Sequence, residues 1–244
     1  MAMPNHPPEP NRREFLRRAA FLATLASAAP AWAGPEGPAG TSQPPPSEPL
    51  APGYLTFGPD EAAFVEALVN VMCPADDLTP RGADCGLAVF IDRQLAGAFG
   101  RGERLYLRGP WRPGLPQDGY QLPLTPEHYF KAGLAAADEA CRAQHARSLA
   151  ELEPKAADGF LLAMAEGRIP TVRLPLDDWF NDLVYPLFLQ ACFADPIYGG
   201  NQGKVFWRMI GYPGLPAVNG LNMTKYRGKP FPGGRKPQSI QDFS

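Results

Sequence analysis

Residues 124–152 read LTPEHYFKAGLAAADEACRAQHARSLAEL, the longest helical stretch in the chain. Thr125 offers a side-chain oxygen to the free N–H groups of a first turn. Pro126 suits the first helical position because it has no N–H to lose there. On the N-terminal side, FGPDEAAFVEALVNVMCP (57–74) follows the same logic. Pro59 opens a helix, Asp60 and Glu61 complement its dipole, and Pro74 ends it. Phe64, Leu68 and Met72, with Val65 and Val69, line one face at helical spacing. In ADCGLAVFIDRQLAGAFG (83–100), Leu87, Phe90, Ile91 and Leu95 form the inward face, and Gly97 and Gly100 stop the element.

On the C-terminal side, residues 154–166 predict a short helix stopped by Gly167. LPLDDWFNDLVYPLFLQACF (174–193) places Trp179, Leu183, Leu187 and Ala191 on one face. Pro186 lies inside this stretch, so a kink is expected there. Residues 109–124 are dense in Pro and Gly, aromatic, and read as an ordered irregular loop. After Gly211 periodicity fades, and from Asn219 onward there are five basic residues and one acid. No βαβ alternation and no convincing internal repeat appear. The fold class is therefore mostly α: a single helical domain over 54–214 with long Pro/Gly-rich loops. An extended tail over 215–244 is expected to lie along a partner, since it has no core of its own.

The N-terminus has the parts of an export signal: basic residues, an apolar core from Ala19 to Ala29, then small residues. The core is too short to span a bilayer, which takes about 20 apolar residues. Ala31 and Ala33 flank Trp32 in a small-x-small pattern, so cleavage is expected after Ala33. Arg12 and Arg13, followed by Phe15 and Leu16, resemble the twin-arginine signal that carries folded cargo. Asn11 stands where Ser or Thr is usual. Residues 34–53 are a Pro/Gly/Ser-rich linker. Without residues 1–33 the chain keeps 19 basic and 23 acidic side chains, a net charge of −4. That balance argues against nucleic acid as a partner.

Four cysteines (Cys73, Cys85, Cys141 and Cys192) permit two disulfides in an oxidising compartment. Cys73–Cys85 closes the shortest loop, and buried thiols are the other reading of these apolar surroundings. No metal-site spacing occurs. His128 and His145 lie about five helical turns apart, too far to share a metal. No C-x-x-C-H, G-x-S-x-G or Rossmann glycine pattern is present. Asp177, Asp178 and Asp182 suit a helix dipole, and Asp177, Asp178 or His128 are the residues a free-standing enzyme would use for acid/base chemistry.

The densest stretch is FADPIYGGNQGKVFWRMIGYPG (193–214). Gly199-Gly200-Asn201 allows a sharp turn with positive φ, and the aromatics supply rigid contact area. It reads either as a loop packing on its own helices or as a contact surface for a partner, alone or as a ligand-binding module. The candidate contact residues are Trp111, Tyr120, Asp195, Pro196, Tyr198, Gly199, Gly200, Asn201, Trp207 and Tyr212.

FADPIYGGN followed by WRMIGYPG resembles the signature of the gluconate 2-dehydrogenase subunit 3 family. This family comprises the small (gamma) subunits of membrane-bound, FAD-dependent sugar and sugar-acid dehydrogenases. MCPADDLTPRGADCGLAVFIDRQL (72–95) and RLYLRGPW with GYQLPLTPEHYF (104–111 and 119–130) fit the same resemblance, which covers roughly residues 54–225. The resemblance implies a role with no cofactor in this chain. It implies a large catalytic subunit carrying FAD, and a multihaem cytochrome c subunit passing electrons to quinone. It further implies a periplasmic complex at the outer face of the inner membrane. The twin-arginine translocase would export the large subunit through this chain's signal, and the small subunit would assist the large one's folding and stability.

Overall fold

The computed structural model describes residues 53–243 apart from 113, 116, 117, 172, 173 and 216–218. The export-signal residues Arg12, Arg13, Phe15, Leu16, Ala31 and Ala33, and the linker up to residue 52, lie outside the described residues. Among these residues the regular elements are helical, and the sole β feature is an isolated bridge.

Helix α1 (Pro59–Met72) starts at Gly58, whose N–H donates to Glu61 Oε2 at 2.9 Å. It buries Phe64, Val65, Leu68 and Val69. Helix α2 (Leu87–Ala96) buries Leu87, Phe90, Ile91 and Leu95, the face its spacing predicts. Helix α3 (Pro126–His145) is capped as expected: Thr125 Oγ1 accepts from the His128 N–H at 3.3 Å. It ends earlier than the sequence suggests. Ala146 turns left-handed, and residues Leu149–Glu151 form a separate 3-10 turn. Helix α4 spans Pro154–Ala165.

The 174–193 stretch meets its proline in a specific way. Helix α5 (Leu176–Trp179) runs into a π turn over Phe180–Val184, and helix α6 (Tyr185–Phe193) continues from it. Pro186 has no N–H, and its ring would crowd the carbonyl four residues back. Widening the preceding turn, so that the Tyr185 N–H reaches back to the Phe180 oxygen, accommodates it. Helices α7 (Val205–Ile210) and α8 (Asn219–Lys225) are short.

The core joins α1 to α6. At its centre Trp179 is fully buried, with its ring centroid 5.7 Å from that of Phe130. Gly133 on α3 makes the space: a Cβ there would lie 2.3 Å from atoms of the Trp179 indole. A second buried feature holds the point where the chain enters the domain. The Asp92 carboxylate, with no solvent exposure, accepts from the N–H groups of Leu55, Thr56 and Phe57 at 2.6–3.1 Å and from the Thr56 hydroxyl at 3.0 Å. Lys131 Nζ donates to the Thr56 carbonyl at 2.7 Å. Three backbone donors are thereby satisfied by one carboxylate rather than by a strand or helix.

The sequence left Cys73–Cys85 as a possible disulfide beside a buried-thiol reading; Cys73, Cys85, Cys141 and Cys192 are all buried, and the structure gives them as thiols. The Cys73 and Cys85 sulfurs both lie against the Pro80 carbonyl oxygen, at 3.7 and 3.8 Å. Burial pushes the Cys85 thiol up to about 11, with the neighbouring Cys73 adding to the shift.

Two glycine substitutions should move stability in opposite directions. Gly133→Ala forces a methyl group into the Trp179 ring and should cost about 1–3 kcal/mol. Gly159→Ala, at an exposed position of α4 with open space around it, should add about 0.5–1 kcal/mol. Urea denaturation of the two variants, monitored by circular dichroism, measures both.

Candidate functional site

Phe193 ends α6, and the chain turns sharply. Asp195 caps the 3-10 turn Pro196–Tyr198 by accepting from the Ile197 N–H at 3.1 Å. Gly199 follows at φ 102°, beneath α2: a Cβ there would meet Arg93 Nη1 at 2.7 Å. Gly200 is tighter, because a Cβ would come within 2.4 Å of the Ala191 carbonyl. Asn201, fully buried at φ 48°, ties the turn down from both ends of its amide. Its Nδ2 donates to Ala194 O at 3.0 Å, and its Oδ1 accepts from the Phe206 N–H at 3.1 Å. The Gln202 N–H reaches Cys85 O at 3.0 Å, joining the turn to the start of α2. Trp207 is buried, with Nε1 donating to Phe193 O at 2.9 Å.

The candidate contact residues therefore divide. Pro196, Gly199, Gly200, Asn201 and Trp207 are buried and pack on this chain's own helices. Tyr120 also turns inward. It stacks on Tyr129 with ring centroids 4.2 Å apart, donates to Leu124 O at 3.2 Å, and is pushed up to about 12 by burial. Trp111 is half-buried in its loop. Tyr198 and Tyr212 remain exposed, and Asp195 is half-buried. The structure adds Phe193, Met209 and Ile210 to the exposed apolar set. These side chains are joined through the interior: Trp207 contacts Tyr212 edge-on at 5.2 Å, and Phe193 contacts Phe206 at 6.1 Å.

Beside Phe193 and Tyr198 lies an open groove of about 450 Å³. Phe90, Phe193, Ala194 and Tyr198 supply its apolar surface, with Gln94, Gln190 and Asp195 as polar groups. Such a groove accepts an apolar side chain and offers amide and carboxylate partners at its edge.

The residues suggested for acid/base chemistry are not assembled. Asp177 and Asp178 occupy the first turn of α5, and Asp182 lies in the π turn. Burial raises the Asp182 pKa, with Asp178 and Asp177 adding like charge. His128 is exposed at the start of α3, and among the described residues no hydrogen bond or ion pair joins it to these carboxylates. His145 is exposed and meets the Phe160 ring edge-on at 6.0 Å. Among the described residues no cluster of His, Cys, Asp and Glu has the makings of a metal site.

The tail also differs from expectation. Among the described tail residues, Leu221 and Met223 of α8 are largely exposed, as are Arg227 to Pro230 after it. The stretch 231–243 folds back over the 193–214 segment rather than extending from it. Gln238 pairs with Gly214, through Gln238 N–H to Pro213 O at 3.0 Å and Leu215 N–H to Gln238 O at 3.0 Å. The Ile240 N–H donates to Asp195 Oδ2 at 2.9 Å, and Lys204 pairs with Asp242. These bonds join backbone to backbone, backbone to one side chain, or two isolated side chains, so they leave no periodic mark in the sequence.

A small helical domain that exposes apolar and aromatic side chains around a sharp turn is the class of protein that this fold and site define. The family model for gluconate 2-dehydrogenase subunit 3 matches residues 59–214, and the chain belongs to that family. It is accordingly an accessory subunit of a dehydrogenase complex. Among curated proteins and solved structures no match to the chain is found.

The Lys204 ammonium first, and then the Ser239 N–H, hold the Asp242 carboxyl below the usual carboxylate range. A depressed folded-state pKa stabilises the folded-back strap of residues 231–243 above the ordinary carboxylate pKa, and that contribution is lost as pH falls through the depressed value. Hydrogen exchange read by mass spectrometry should therefore show the same strap-opening equilibrium from about pH 7 to about pH 5, where the carboxylate stays ionised. Lys204→Ala should lower protection of 231–243 at pH 7 by no more than about fivefold, since the Gln238 and Ile240 bonds remain, and leave α1 to α4 unchanged.

Proposed function

We propose that this chain is the non-catalytic small (gamma) subunit of a periplasmic, FAD-dependent sugar, polyol or sugar-acid dehydrogenase. In this reading it escorts the catalytic flavoprotein through the twin-arginine translocase and stabilises it afterwards. A multihaem cytochrome c completes the complex at the outer face of the inner membrane. The observation that carries the proposal is the family match over residues 59–214, which spans the turn, the groove and the exposed aromatics.

Two further features support it. A signal for folded cargo on a helical subunit fits an escort role, because a bound partner without its own signal crosses with it. The exposed Phe193, Tyr198 and Tyr212 project from a rigid turn, so little side-chain entropy is lost when they dock. Aromatic anchors of this kind dominate protein interfaces.

Expression of the catalytic subunit with and without this chain tests the reading. FAD-linked sugar oxidation in the periplasm should appear only with it, and Arg12→Lys with Arg13→Lys should hold both proteins in the cytoplasm. Equal export and activity without this chain would sink the proposal.

The groove has a separate test. Phe193→Ala with Tyr198→Ala should weaken recovery of the catalytic subunit on a tagged small subunit by about 30-fold or more, as expected when two aromatic anchors are truncated. Both side chains are exposed, so the helical circular dichroism signal should stay at the wild-type level.

A further inference from the structure

The loop from Gly102 to Tyr120, between α2 and α3, is pinned at both ends and open in the middle. At its start Arg101 pairs with Glu103 at 2.7 Å and donates to Ala96 O at 3.1 Å. The Leu105 N–H closes a turn onto Gly102 O at 2.9 Å. Towards its end Asp118 Oδ2 accepts from the Leu115 N–H at 2.8 Å, and Tyr120 is stacked on Tyr129. Every residue from Glu103 to Pro110 is exposed. Tyr106 is 80% exposed and Leu105 45%, with Leu107 beside them at 36%. Arg104, Arg108 and Arg112 flank these apolar side chains, are exposed, and make no ion pair among the described residues.

The charge of this loop is opposite to that of the chain around it. Residues 101–112 carry four arginines and one glutamate, a net +3. The rest of 34–244 carries 15 basic and 22 acidic side chains, a net −7. An acidic protein surface is repelled by the net charge of the rest of the chain and attracted by this loop, as it is by the basic stretch from Asn219 onward. Such an arrangement sets the orientation of approach and raises the rate of productive encounter.

The composition favours protein over lipid. The cations are all arginine, whose planar guanidinium pairs with carboxylates in a two-bond geometry, and no lysine is present. Tyr, Trp and Arg are the side chains that dominate protein-binding hot spots.

We propose that the 103–112 loop is a second docking surface, and that it receives an acidic, apolar-bordered face of the large subunit. Arg104, Arg108 and Arg112 pair with carboxylates there, and Tyr106 and Leu107 cover the apolar margin. This rests on the accessory-subunit reading above and adds to it the chemistry of the partner's surface. Together with the Phe193–Tyr198 groove it gives the small subunit two contact areas, one apolar and one charged.

The test uses the co-expressed complex, captured through a tag on the small subunit and washed with NaCl from 50 to 500 mM. Wild type should keep the large subunit at low salt and release it as salt rises, because exposed charges are screened within about 10 Å at 0.1 M. Arg104→Glu with Arg108→Glu and Arg112→Glu should bind about tenfold or more weakly at 150 mM and reverse the salt dependence, because the repulsion it introduces is screened as salt rises. Tyr106→Ala should weaken binding with the salt dependence intact. Equal retention by wild type and the triple variant at all salt concentrations overturns the loop proposal and leaves the accessory-subunit reading standing. A wild-type preparation without the large subunit overturns both. Vesicles of phosphatidylglycerol form the last arm. If they sediment the wild-type complex but not the triple variant, while both retain the large subunit equally, the loop is a lipid-binding surface and the proposal falls. All the substituted side chains are exposed, so a wild-type melting temperature for each variant confirms that folding is not the cause.

Discussion

Three stretches of backbone meet where no side chain fits between them. A Cβ on Gly86 would fall 2.1 Å from the Gly199 carbonyl oxygen, and one on Gly200 would fall 2.4 Å from that of Ala191. The start of α2, the end of α6 and the turn after it are thereby held in direct contact. Asn201 completes the joint with two hydrogen bonds at zero solvent exposure. Whatever the small subunit presents around residues 193–212 is presented from this joint. Its rigidity fixes the backbone from which Phe193, Tyr198 and Tyr212 project.

The Gly-Gly-Asn motif thus works indirectly. Its own atoms are spent inside the chain, on α2, α6 and the Phe206 amide. Its effect is to aim Tyr198 outward and to leave the groove open between Phe90 and Phe193. The tail reinforces the same region from the other side. Asp195 uses one oxygen to cap its own turn and the other to hold Ile240, so the turn and the C-terminal strap share a carboxylate. The exposed surface here is a composite of segments far apart in the chain, residues 193–214 and 231–243.

The helical face of α2 was legible from residue spacing alone, because burial on one side of a helix imposes a repeat of 3.6 residues. The cap at Thr125 and the helix start at Pro59 were legible for a similarly local reason. Asp92 was not. An acidic residue within an apolar helical run reads as a solvent-facing position. Its burial depends on three backbone N–H groups brought from residues 55–57, more than thirty positions away. The unpaired arginines of the 103–112 loop were likewise visible only as letters, since charge segregation on a surface needs the surface.

The sequence by itself determined the helical class, the main helix spans and the family, since each is written in local periodicity, caps and short motifs. The tertiary structure alone decided which aromatics face solvent. Tyr198 and Tyr120 look alike as letters, yet one rims a groove and the other stacks on Tyr129. It also decided that the C-terminal stretch folds back, through Gln238 on Gly214 and Ile240 on Asp195. Pairings between distant backbone groups carry no repeat and no composition, so they exist only once the chain has folded.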